Sequence, residues 1–162
     1  MNTITIQNQY SIFLIQKTLD QLSKTQFFTK LDIIHAFNQI CIHEDDEKYT
    51  AFQTWWELFK QFVMSFNLKN KSNTFQHYIN DKFHDFFDIF VTAYIDDILI
   101  YSFTLFEHWR HVQMILEWLW ETDLQCDIKK CKFHVIKVTY FRLIVSWKEL
   151  KMNSIKIEII VN

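Results

Sequence analysis

The chain has 162 residues, 49% hydrophobic and 18% aromatic, enough for one domain with a buried core and too apolar for a disordered tail. Its net charge of −2 gives no general sign of nucleic-acid binding, and 3 cysteines suit a reducing compartment. No basic n-region precedes an apolar run and no apolar stretch is long enough to span a bilayer, so the expectation is an intracellular protein, cytoplasmic or nuclear, without a membrane partner.

Residues 2–6 alternate weakly, and residues 12–22 carry Ile12, Ile15, Leu19 and Leu22 at helical spacing. Alternation through Phe28, Lys30 and Asp32 predicts a strand that delivers Asp32 at its end, although Asp32 taken alone also reads as a helix N-cap. Glu44-Asp45-Asp46-Glu47 reads as a solvated turn or helix start, since four consecutive carboxylates cannot converge on one ion. Residues 50–54 and 58–63 predict a hairpin with Trp55-Trp56-Glu57 in its turn. Phe75, Tyr78, Ile79, Phe83 and Phe86 then form the apolar face of a long helix.

Residues 90–102 carry the most chemistry. Two runs of β-branched and aromatic residues flank Asp96-Asp97, which predicts strand, tight turn, strand. Adjacent carboxylates at a buried hairpin tip repel each other and resist desolvation unless a cation sits beside them. The simplest such cation is Mg²⁺, which takes oxygen ligands from one or two carboxylates plus substrate phosphates.

Residues 107–121 predict an amphipathic helix with Trp109, Val112, Leu116 and Leu119 inward, and His108 and His111 facing solvent rather than binding metal. Cys126, Cys131 and His134 lack the fourth ligand of a zinc knuckle. Residues 138–146 predict a further strand, and residues 155–161 the start of another helix.

Tyr94-Ile95-Asp96-Asp97 followed by Ile98-Leu99-Ile100-Tyr101-Ser102 resembles the catalytic hairpin of reverse transcriptases, specifically those of Ty3/gypsy-like long-terminal-repeat retrotransposons. The segments around Asp32, residues 62–76, Lys129-Lys130-Cys131-Lys132-Phe133 and residues 138–146 resemble that family's other motifs in the right order. The resemblance implies an α+β fold, a fingers/palm fragment with a small antiparallel palm sheet packed on helices. It implies one domain over 1–162, truncated at both ends: 1–31 and 43–66 on the fingers side, 32–42 and 67–145 in the palm, 146–162 starting the thumb or connection. The implied function is RNA-directed DNA polymerisation by two-Mg²⁺ nucleotidyl transfer, with Mn²⁺ as an alternative ion.

Carried over residue by residue, Asp32, Asp96 and Asp97 are the catalytic carboxylates and metal ligands, with Asp32 and Asp96 meeting across the sheet as the principal pair. Lys130 is the candidate proton donor or charge contact for pyrophosphate. Phe37 is the aromatic that crowds a 2′-hydroxyl, and Phe66, Asn67 and Gln76 belong to the nucleotide- and template-binding motif. Phe141 and Arg142 fall in the primer grip. The implied partners are an RNA or DNA template with its primer, deoxynucleoside triphosphates, and RNase H and integrase modules of a polyprotein.

The composition is unusual for that family. Gly is 0 and Pro is 0, where ordinary usage would predict about nineteen together. Glu57, Asn67, Arg142 and Glu149 stand where the family has glycine, and Ser11, Phe13, Ser65, Ser72 and Ser154 where it has proline. Nearly all of these can arise by C-to-T or G-to-A changes, which suggests a retroelement copy degraded by cytosine-directed hypermutation. The alternative function is therefore a catalytically inactive remnant or nucleic-acid-binding fragment. An unrelated interaction domain would instead leave Asp32 well away from the hairpin turn.

Overall fold

The structure, a computed structural model, describes residues 5–8, 20–87, 89–140, 143–147 and the backbone of 149–152. The helix expected over 12–22 is described only at its end, Asp20 to Leu22, and the helix expected over 155–161 lies outside the described residues. The centre is a four-stranded antiparallel sheet: β1 (Phe27–Asp32), β4 (Val91–Tyr94), β5 (Asp97–Ser102) and β6 (Lys132–Val135) in the order β4-β5-β1-β6. Helix α1 (Lys71–Lys82) and helix α2 (Leu105–Glu121) contact this sheet.

Alternation sorts the sheet's side chains into two cores. Leu31, Ile98 and Ile100 join Phe75, Ile79 and Phe83, together with Val112, Ile115 and Leu119 of α2, in one cluster. Phe28, Leu99 and Tyr101 point the other way, onto Val138, Tyr140 and Val145. Those three belong to a separate sheet of β7 (Lys137–Tyr140), β8 (Leu143–Ser146) and β9 (Glu149–Met152). The single strand expected over 138–146 is therefore two, paired antiparallel. The small hairpin expected over residues 50–63, β2 (Phe52–Gln53) and β3 (Leu58–Phe59), forms and leaves Trp55 and Trp56 at its tip 99% and 91% exposed.

Helix α2 departs from the sequence expectation in its rotation. Thr104 and Glu107 form a capping box at its start, and the residues that face the core are His108, Val112, Ile115 and Leu119. Trp109 and Leu116 are exposed. The apolar stripe and the observed stripe share Val112 and Leu119, and side-chain hydrogen bonding decides between them. His108 is fully buried, with Nε2 2.8 Å from the Thr29 hydroxyl and Nδ1 2.9 Å from the Ser102 hydroxyl. Buried Thr29 and Ser102 need partners on that face, and an indole or an isobutyl group cannot supply two.

Candidate active site

Asp32 ends β1, and the turn Tyr94-Ile95-Asp96-Asp97 joins β4 to β5. The strands register so that Asp32 faces Asp97, while Tyr94 also pairs with Asp97. Asp96 lies in the turn, and its carbonyl accepts from the Ile33 N–H at 2.8 Å, which docks the turn on the end of β1. In the ladder Asp32 is thus registered with Asp97, while Asp96, in the turn outside the paired register, lines one cleft with Asp32. Asp32 and the doublet are still neighbours, which excludes an unrelated domain with a remote surface turn.

The turn is held from below. Ile95 has φ 54°, a left-handed conformation that is costly for a β-branched residue. The buried amide of Gln76 clamps it: Oε1 accepts from the Ile95 N–H at 2.8 Å, and Nε2 donates to the Ala93 carbonyl at 3.1 Å. Gln76, expected in the nucleotide-binding motif, therefore supports the hairpin from within the core and does not line the cleft described next.

That cleft, of about 520 Å³, is lined by Asp32 and Asp96 together with Phe37, Phe66, Asp127 and Lys130. Asp127, Lys129 and Lys130 form one wall because the Asp127 N–H donates to the Asp32 carbonyl at 2.9 Å. Phe37 enters from the 3-10 turn Ala36–Gln39, which follows His35 at φ 49°. It packs edge-on against Phe66 with centroids 5.7 Å apart, and the Lys71 ammonium sits 3.2 Å from the Phe66 centroid while also donating to the Phe66 carbonyl. Asn67 is exposed and absent from the lining, and its φ is not positive. The left-handed conformation that asparagine tolerates is thus not used there. Phe141 and Arg142 lie outside the described residues.

The cations beside the acids are lysines of this chain. Lys130 Nζ is 3.0 Å from Asp32 Oδ1, and Lys30 Nζ is 2.8 Å from Asp97 Oδ2. Hydrogen bonding and attraction to Asp32 raise the Lys130 pKa, so this lysine stays protonated. Burial pushes the Asp97 carboxyl above the ordinary carboxylate range, with Asp96 and Asp32 adding to the rise and Lys30 opposing it. Among the described residues no three His, Cys, Asp or Glu side chains converge as a metal-holding group. Asp32 and Asp96 line one cleft and offer hard oxygen donors of the kind Mg²⁺ takes when substrate phosphates complete its shell.

Sequence reasoning missed Lys30, Asp127 and Lys71. For Lys30 a signal existed, since alternation places it on the same face as Asp32, two residues away. Asp127 is brought to the cleft by a long-range backbone bond that no local pattern foretells.

A family profile described as reverse transcriptase (RNA-dependent DNA polymerase) matches residues 1–157. The chain belongs to that family. It is 32% identical over 162 residues to the Retrovirus-related Pol polyprotein from transposon 297 of Drosophila melanogaster, covering 100% of this chain and 15% of that protein. It is 29% identical over 160 residues to the Retrovirus-related Pol polyprotein from transposon gypsy of the same organism, covering 99% of this chain and 16% of that protein. These relatives are Ty3/gypsy-like retrotransposon polyproteins, of which the chain spans about a sixth. Among solved structures, the foamy viral protease-reverse transcriptase in complex with RNA/DNA hybrid superposes with a TM-score of 0.83 at 17% identity, covering 99% of this chain and 22% of that one. The fold is thus that of reverse transcriptases, and divalent-metal use is general in the family. Among the described residues no helix is long and apolar enough to cross a membrane.

Proposed function

We propose that this chain carries the polymerase site of a retrotransposon polyprotein and extends a primer on an RNA template. The observation that supports the reading most is that one cleft is lined by Asp32, Phe37, Phe66, Asp96 and Lys130, residues from four segments of the sequence. The template-primer partner follows from the foamy viral relative, which is seen with an RNA/DNA hybrid. Deoxynucleoside triphosphates and the RNase H and integrase modules follow from the family alone. In domain terms we assign residues 43–66 to the fingers side and the β1-β4-β5-β6 sheet with its two helices to the palm. Phe141 and Arg142 are assigned to the primer grip on sequence alone.

Asp32 and Asp96 would hold Mg²⁺ or Mn²⁺, which when bound stabilises the attacking and leaving oxygens of the in-line displacement. Lys130, whose side chain is 64% exposed at the mouth of the cleft, places an ammonium beside the departing pyrophosphate and can donate a proton to it. Phe37, fixed against Phe66 and Phe75, crowds the sugar edge of the pocket and disfavours a 2′-hydroxyl. Gln76 fixes the turn that carries Asp96. A non-catalytic remnant is the competing reading, favoured by Asn67, an exposed side chain where the family resemblance places glycine.

Primer extension on an RNA template with Mg²⁺ and with Mn²⁺, using Asp96→Asn as the control, tests the proposal. Extension by the unaltered chain that Asp96→Asn abolishes supports it. Template binding with no extension under either ion leaves the remnant reading.

A further inference from the structure

The ion pair between Lys30 and Asp97 is unused in the roles assigned so far, and its surroundings differ from those of Lys130 and Asp32. Lys30 is opposite Leu99 in the β1–β5 ladder and Asp32 is opposite Asp97, so Lys30 and Asp97 are diagonal neighbours on one face. Lys30 is anchored in mid-strand between Thr29 and Leu31, both fully buried, and the side chains of the pair are 21% and 29% exposed. Lys130, by contrast, rides on a loop.

The two clefts divide in the same way. Asp32, Asp96 and Lys130 line the larger one, and Asp97 does not. Lys30 lines a neighbouring cleft of about 350 Å³ together with Lys130, Lys132 and Lys137. The lysine that pairs with Asp97 thus lines a different cleft from Asp32 and Asp96, and Lys130 borders both.

We propose that Lys30 is a positioning residue that keeps Asp97 as a permanently paired anion, leaving Asp32 and Asp96 as the two carboxylates offered to a divalent ion. This rests on the polymerase reading of the larger cleft. Two adjacent carboxylates compete for one cation and repel each other. A fixed ammonium on the second opposes the repulsion and holds that carboxylate by its Oδ2. Lys130 is the exchangeable counter-ion of Asp32, and Lys30 stays where it is.

Mn²⁺ binding to the 162-residue chain, followed by the electron paramagnetic resonance signal of unbound Mn²⁺, tests the assignment without any assay of activity. Asp32→Asn and Asp96→Asn are expected to weaken binding by about tenfold or more, and Asp97→Asn by roughly threefold or less. Lys30→Met is expected to tighten binding several-fold by releasing Asp97, an effect that Asp97→Asn in the same chain cancels, while Lys30→Arg behaves as the unaltered chain. Asp97→Asn weakening Mn²⁺ binding as much as Asp96→Asn, or Lys30→Met leaving the affinity unchanged, overturns the proposal. If Asp32→Asn and Asp96→Asn both leave Mn²⁺ binding unaltered, the polymerase site itself fails. The pair is then judged by urea unfolding without metal, where additive effects of Lys30→Met and Asp97→Asn overturn the positioning role and non-additive effects retain it.

Discussion

Gln76 on α1 reaches Ile95 at the tip of the hairpin, and its one amide satisfies both the Ile95 N–H and the Ala93 carbonyl. The residue with the least favourable backbone at the site is therefore secured by a side chain that never meets the cleft. Replacing Gln76 by Leu strands two backbone groups beneath the turn. The expected cost is about 2–4 kcal/mol of stability, read as a lower urea midpoint. Primer extension should fall further than that loss of folded protein explains, because Asp96 loses its fixed orientation.

Stability should decline as pH falls below neutrality because of His108. Burial, with help from His134 and His111, lowers its pKa to about 4 from an ordinary 6.5. The unfolded chain therefore binds a proton between those values that the folded chain refuses, so stability is intact above pH 6.5 and is lost as pH drops toward 4. The contribution amounts to about 3 kcal/mol when complete. Urea unfolding at pH 7.5 and pH 5 measures it, and His108→Gln should flatten the dependence.

The capping box of α2 gives a local test of the fold. Thr104 accepts from the Glu107 N–H at 3.3 Å, and the Glu107 carboxylate accepts from the Thr104 N–H at 3.3 Å. Thr104→Ala should cost about 1 kcal/mol, seen as a lower melting temperature, with Mn²⁺ affinity unaffected since the cap follows the Ser102 end of β5 and the acids stand at its Asp97 end.

Sugar selection should follow the bulk of Phe37. Its ring is braced by Phe66 at 5.7 Å and Phe75 at 6.0 Å, so it cannot readily swing aside. Phe37→Val should raise ribonucleotide incorporation relative to deoxynucleotide by roughly tenfold or more, as expected when a contact that discriminates by about 1.4 kcal/mol is removed. Single-nucleotide extension with matched ribo- and deoxynucleotides provides the ratio.

The elements that rest on local pattern were legible before any fold was known. Period-two alternation marked β1 and the β4–β5 hairpin, and adjacent acids between two apolar runs located the turn, because strand pleat and turn chemistry act within a few residues. Tertiary structure decided how those elements use their polar groups. His108 faces inward because Thr29 and Ser102, far from it or on another element, need hydrogen-bond partners. Gln76 turns into the core because Ile95 has an N–H to satisfy there. Lys30 and Lys130, 100 positions apart in numbering, divide the acids between them because charges pair by distance through space, which the order of residues along the chain does not encode.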